Sequence, residues 1–150
     1  MSAQPNTGMK PTTFVNPMGV DGFEFVEFAA PDPKRLHALF PKLGFKAVAK
    51  HKSKAITLYR QGECNFLINE EPDSFASEFA AKHGPCACGF AIRFTRPANE
   101  VRDAALKNGA EPIASKESSK AVDAPTIIGI GGCMLYLIDR YGNAGSVFDD

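Results

Sequence analysis

The chain is written twice, and that repeat constrains its fold more than any other feature. Residues 22–69 read as a strand, a helix and three further strands, and residues 88–139 read the same way again. Shifted by about 66 positions, Val26-Glu27-Phe28 falls on Ile92-Arg93-Phe94 and Pro31 falls on Pro97. Each copy carries a helix that stops at a glycine, Gly44 in the first and Gly109 in the second. A duplicated βαβββ unit is expected to close two half-sheets around a shared cleft, so the question of function narrows to the cleft residues.

Local signals place the elements. Residues 22–30 are rich in Phe and Val and stop at Pro31-Asp32-Pro33, which predicts a strand with an abrupt end. Asp32 can cap a helix over 33–43, whose Leu36, Phe40 and Leu43 form one apolar stripe. Pro41 marks an early end or kink in its last turn. Strands at 45–51, 55–60 and 64–69 follow, the last two joined by a tight turn at Gln61-Gly62-Glu63. A helix over 72–83, capped by Asp73 or Ser74 and ended by Gly84-Pro85, bridges the two copies. The second copy has a strand at 88–95, a helix over 98–108, and strands at 111–115, 126–130 and 134–139. Between the first two of those three strands, residues 116–123 are polar, without periodicity or glycine, and are expected to form a mobile loop.

Composition works by exclusion. At 150 residues the chain suits one domain or two small modules sharing a core. Its 17 basic and 17 acidic residues cancel, and no basic block exceeds a few residues. Neither nucleic acid nor an anionic membrane surface is therefore expected as the main partner. The longest apolar run, 133–138, is far too short to span a bilayer. Residues 1–16 are polar, lack the apolar core of a secretion signal, and read as a flexible tail. Cys64, Cys86, Cys88 and Cys133 show no dense disulfide spacing, so a reduced, cytoplasmic setting is the expectation.

Strand alternation would put Phe23, Phe25 and Ala29 on one face of the first strand together with Glu27, whose counterpart in the second copy is Arg93. One carboxylate facing one guanidinium reads as an ion pair rather than half of a metal site. A cleft walled by Phe23 and Phe25, with Glu27 and Arg93 as polar anchors, could also hold a small aromatic acid, Arg93 taking its carboxylate bidentately. Phe90 falls on the opposite face from Arg93. His37, His51 and His83 lie far apart in sequence and off the cleft strands, so they assemble no facial triad. Cys86 and Cys88 lack two further soft ligands at workable spacing and read as buried small hydrophobes. Gly129-Ile130-Gly131-Gly132 lies between two strands, not before a helix, which predicts a turn rather than a phosphate loop. No Ser or Cys stands in an elbow with a paired base. No catalytic residue and no metal ligand is assigned.

The duplicated arrangement resembles the vicinal oxygen chelate superfamily, an α+β fold in which two tandem βαβββ modules form one curved mixed sheet. On that resemblance residues 17–150 form one domain, with module one at about 20–70, the bridging helix at about 72–83 and module two at about 87–150. Metal-dependent members draw ligands from inward positions on the first and last strands of each unit. The matching first-strand positions here are Phe25 or Phe23 and Ala91 or Gly89, none with a lone pair to give.

Several stretches resemble bacterial 4-hydroxyphenylpyruvate dioxygenases more closely: Asn16-Pro-Met-Gly-Val-Asp-Gly-Phe-Glu-Phe-Val-Glu-Phe28, Leu58-Tyr-Arg-Gln-Gly62, Phe79-Ala-Ala-Lys-His-Gly-Pro85, Gly109-Ala-Glu-Pro-Ile113, and Gly129-Ile-Gly-Gly132 with Leu135-Tyr-Leu-Ile-Asp-Arg140. The resemblance implies conversion of 4-hydroxyphenylpyruvate to homogentisate with Fe(II) and O2, in subunits built of two double-module halves. It places the iron triad of two His and one Glu in the C-terminal half. This chain matches the N-terminal half and stops at Asp150, where the family's chain continues, and no iron ligand carries over. The expectation is a non-catalytic half that binds no cofactor itself and packs against the catalytic C-terminal half or a second subunit, a homodimer included. The alternative is a free-standing module that binds a small aromatic acid.

Overall fold

Alternating Phe, Val and Glu make the longest strand of the molecule, β1 (Val20–Ala29), and it lies near the centre of the sheet. The structure, a computed structural model, describes residues 15–113 and 120–149. Most of the expected tail (1–14), the end of an expected strand (114–115) and part of the expected loop (116–119) lie outside the described residues. Asn16, assigned to the tail, is folded in: its side-chain amide donates to the Val20 carbonyl and accepts the Val20 N–H, at 2.8 and 2.9 Å.

After β1 come helix α1 (Lys34–Lys42) and strands β2 (Lys46–Lys50), β3 (Ile56–Gln61) and β4 (Cys64–Asn69). The bridging helix α2 (Phe75–His83) follows, then β5 (Cys86–Phe94), α3 (Ala98–Lys107), β6 (Thr126–Ile128) and β7 (Met134–Ile138). Helix ends obey local chemistry. Asp32 Oδ1 accepts the Lys34 N–H at the mouth of α1, and Pro41 is tolerated because it sits in the last turn. Ser74, not Asp73, caps α2, and Ser74 and Ser77 satisfy each other's N–H groups. Gly62 takes the left-handed φ of 55° that the two-residue turn between β3 and β4 requires.

The seven strands among the described residues form one mixed sheet in the order β2-β3-β4-β1-β5-β7-β6. Each copy's first strand lies parallel to its own last strand, β1 to β4 and β5 to β7, while β1 and β5 run antiparallel at the junction. This is the duplicated curved sheet the repeat predicts, one strand short among the described residues. Residues 111–113 form no strand, although Ile128 N–H donates to the Glu111 carbonyl. Pro112, with no N–H to offer, explains why the ladder does not extend there.

Among the described residues the three α-helices cover one face. Leu36 and Phe40 of α1 pack with Phe45, Tyr59 and Ile68, Ala76 and Ala80 of α2 pack with Ala29 and Cys88, and Val101 of α3 packs with Phe94 and Leu137. The inner face carries Phe25, Leu58, Leu67, Ala91, Met134, Tyr136 and Ile138. An apolar sheet face must be covered, and here the chain covers it itself. Ala121, Val122 and Ala124 of the connector, with Val147 near the C-terminus, close over it. Of the described part of the expected mobile loop, all but the exposed Asp123 is buried: Ala121 is 1% exposed, Lys120 7% and Val122 8%.

A register shift between Phe23 and Phe25 corrects the expected face of β1. Phe23 opposes Ile92 while Phe25 opposes Ala91, so Glu24 is an extra residue and alternation flips across it. Phe23 therefore leaves the face of Phe25 and is 67% exposed. Ala29 packs with Ala76 and Ala80 of α2 rather than beside Glu27. Of the expected face, Phe25 and Glu27 remain.

Candidate functional site

The centre of the inner face is a buried carboxylate. Glu27 on β1 is 2% exposed. Its Oε1 accepts the Asn69 side-chain amide from β4 at 2.7 Å, and its Oε2 accepts the Tyr136 hydroxyl from β7 at 2.9 Å. Tyr136 Oη in turn accepts the Ala121 N–H of the covering connector at 2.9 Å, which leaves the phenolic proton for Glu27. Asn69 is oriented the same way, since its Oδ1 accepts the Glu71 N–H and its amino group faces Glu27. Burial pushes the Glu27 carboxyl above its ordinary pKa, opposed by the bonds from Asn69 and Tyr136 and by the charge of Lys54. Burial, with the Glu27 charge beside it, holds the Tyr136 phenol well above its ordinary value.

Gly89, opposite Glu27 on β5, has a physical explanation. A Cβ there would lie 2.8 Å from Glu27 Oε2 and 3.1 Å from the Met134 carbonyl. The carboxylate and the phenol occupy the space a side chain would need.

The expected Glu27–Arg93 pair is not formed. Arg93 Nε donates to Glu24, the bulged residue, and its guanidinium lies 5.2 Å from the Tyr141 ring centroid. Glu24 is 5% exposed, so this ion pair is largely withdrawn from water. Of the four residues read as a cleft, Phe25 and Glu27 lie together under the connector, Arg93 sits at the rim with Glu24 and Tyr141, and Phe23 points away. Asn69, Tyr136, Glu24 and Ala121 were not identified as functional from sequence. The available signal was Tyr136 on an inward strand position between Met134 and Ile138, where a buried hydroxyl needs a partner.

The donor set does not fit a non-haem iron. Such a site takes two imidazoles and a carboxylate with open positions, whereas the groups at the centre are one carboxylate, one amide and one phenol, bonded to one another. The histidines serve elsewhere. His37 on α1 bonds Tyr59 Oη at 2.7 Å and Glu70 at 2.9 Å, His83 ends α2 against the Phe79 ring, and His51 Nδ1 accepts two N–H groups of the β2–β3 turn. Cys86 and Cys88 meet Ala29 under α2, where burial pushes both thiols up. Among the described residues no three His, Cys, Asp or Glu converge as a metal site, and no helix is long and apolar enough to cross a membrane.

Comparison with known proteins gives one consistent result. Residues 14–150 match the family model described as hydroxyphenylpyruvate dioxygenase, N-terminal. The chain is 47% identical over 136 residues to a 4-hydroxyphenylpyruvate dioxygenase of Pseudomonas sp. (strain P.J. 874), covering 91% of this chain and 38% of that protein. It is also 47% identical over 138 residues to hemolysin VllY of Vibrio vulnificus, covering 90% of this chain and 38% of the relative. Among solved structures, a fusion of a xylose isomerase-like TIM barrel with a 4-hydroxyphenylpyruvate dioxygenase superposes with a TM-score of 0.73 at 31% identity, over 96% of this chain and 24% of that one. The chain thus spans about 38% of the length of these curated relatives.

Proposed function

The chain belongs to the family of hydroxyphenylpyruvate dioxygenase N-terminal domains, and from that premise we propose that it serves as the N-terminal, non-catalytic half of a 4-hydroxyphenylpyruvate dioxygenase. Its work is to pack against the catalytic C-terminal half, or a second subunit, and support the assembly in which 4-hydroxyphenylpyruvate becomes homogentisate. Fe(II) and O2 chemistry belongs to the other half. The observation that carries this reading is the state of the inner face. Where the fold would present metal ligands, Glu27 has both oxygens committed to Asn69 and Tyr136, Gly89 has no side chain, and the connector lies across them. A group held this way positions structure rather than substrate.

The test uses the chain after anaerobic exposure to Fe(II), alone and mixed with the separately expressed C-terminal remainder of the Pseudomonas sp. relative. Alone it should retain no stoichiometric iron and form no homogentisate, and with the remainder it should form a complex. Homogentisate formation by the chain alone, or no complex, overturns the reading. The alternative, an aromatic acid held between Phe23, Phe25, Glu27 and Arg93, has less support, because these side chains do not converge on one cavity.

A further inference from the structure

The connector does not fill the whole inner face. Between it and β2–β3–β4 lies a pocket of about 160 Å3, which shares Ala121 with the Glu27 centre. Its floor is Ile56, Leu58 and Leu67, all buried, and its far wall is Val122 and Phe148. These walls offer no side-chain hydrogen-bond group, so a resident water would find few partners. An apolar cavity of about 150 Å3 is large enough to take up a benzene-sized body. The rim is of different chemistry. Among the described residues His51 and Lys54 line the rim together with Asp123, while Lys50 pairs with Thr57 and so leaves β2 on the helix side.

The rim is built rather than incidental. His51 Nδ1 accepts the N–H groups of Ser53 and Lys54 at 3.1 and 3.2 Å, which curls the β2–β3 turn around the ring and leaves the proton of the neutral imidazole on Nε2. Lys54 Nζ donates to the Lys120 carbonyl at 2.5 Å, holding the ammonium against the connector. A cationic donor, Lys54, therefore sits at one end of an apolar slot sized for one small ring or branched chain.

We propose that this pocket binds a small monocarboxylate with a compact apolar body, the body between Leu67 and Val122 and the carboxylate at Lys54. The site is independent of the half-enzyme role and would stand if that role failed.

The experiment is a two-dimensional NMR titration of the 150-residue chain with benzoate, and in parallel with benzylamine, which has a similar body and the opposite charge. Benzoate should give saturable shifts centred on Ile56, Leu67, Val122 and Phe148, at roughly millimolar affinity for so small a ligand. Benzylamine should give none at equal concentration. Lys54→Met, which keeps the apolar stem and removes the charge, should weaken benzoate about three- to tenfold. Ala49→Phe, exposed and at the pocket mouth, should abolish the shifts without unfolding the chain. Equal binding of both probes, shifts that survive Ala49→Phe, or no shifts at all would overturn the proposal.

Discussion

Glu27 is held between opposing demands. Burial disfavours its charge, while both fixed neighbours present donors that favour it. With the folded pKa above the unfolded value of about 4.3, the contribution of Glu27 to stability is fully present below that value and is lost as pH rises through the folded pKa. Glu27→Gln does not titrate, so the stability gap between native chain and variant should shrink from acid toward neutral pH in urea melts. A gap that stays constant or widens would contradict the raised pKa. Tyr136→Phe strands the Ala121 N–H and one carboxylate oxygen in the core, at a cost of about 1–3 kcal/mol for such an unsatisfied group, read from the same melts. Glu27 could be singled out from sequence as a carboxylate on an otherwise apolar strand face. Its partner could not. Repeat-equivalent positions coincide in space only near the junction of the copies, and Glu27 opposes Gly89, four residues from Arg93 along β5. That is about 13 Å at strand rise.

Elements were recovered where the signal is local. The helices, the hairpin at Gly62 and the capping of α2 follow from residues within a few positions of one another. Where the deciding contact is distant, the reading of the chain stopped short. The N-terminus of α3 shows this, because Ala98 N–H donates to Asp139 Oδ2 at 2.7 Å, from the end of β7. In sequence Asp139 stands at the end of the expected strand 134–139, with nothing to tie it to residue 98. Asp139→Ala should cost about 0.5–2 kcal/mol, the range for losing a helix cap, and amide exchange should show the first turn of α3 opening more often. Unchanged protection there would rule out the capping role. The β1 bulge escaped for a related reason. Nothing in Gly22-Phe23-Glu24-Phe25 marks an inserted residue, and the shift arises in the pairing with β5.

At the scale of the whole molecule, the main decision is how the inner face is covered. Val122→Asp should destabilise the chain by about 3 kcal/mol or more, as expected when an unpaired charge enters an apolar cluster. Val48→Asp, on exposed β2, should stay within about 0.5 kcal/mol. Comparable small effects at both sites in denaturant melts would mean that the connector is not core. The family, the duplicated sheet and the three helices were all present in the amino-acid order, because repeats, periodicity and turn chemistry are properties of neighbouring residues. Whether the cleft stands open, which side chain Glu27 meets, and where a small pocket survives were decided only in three dimensions. Those outcomes depend on bulges, on pairing between strands far apart in sequence, and on a connector whose polar ends conceal the buried run of Ala121, Val122 and Ala124.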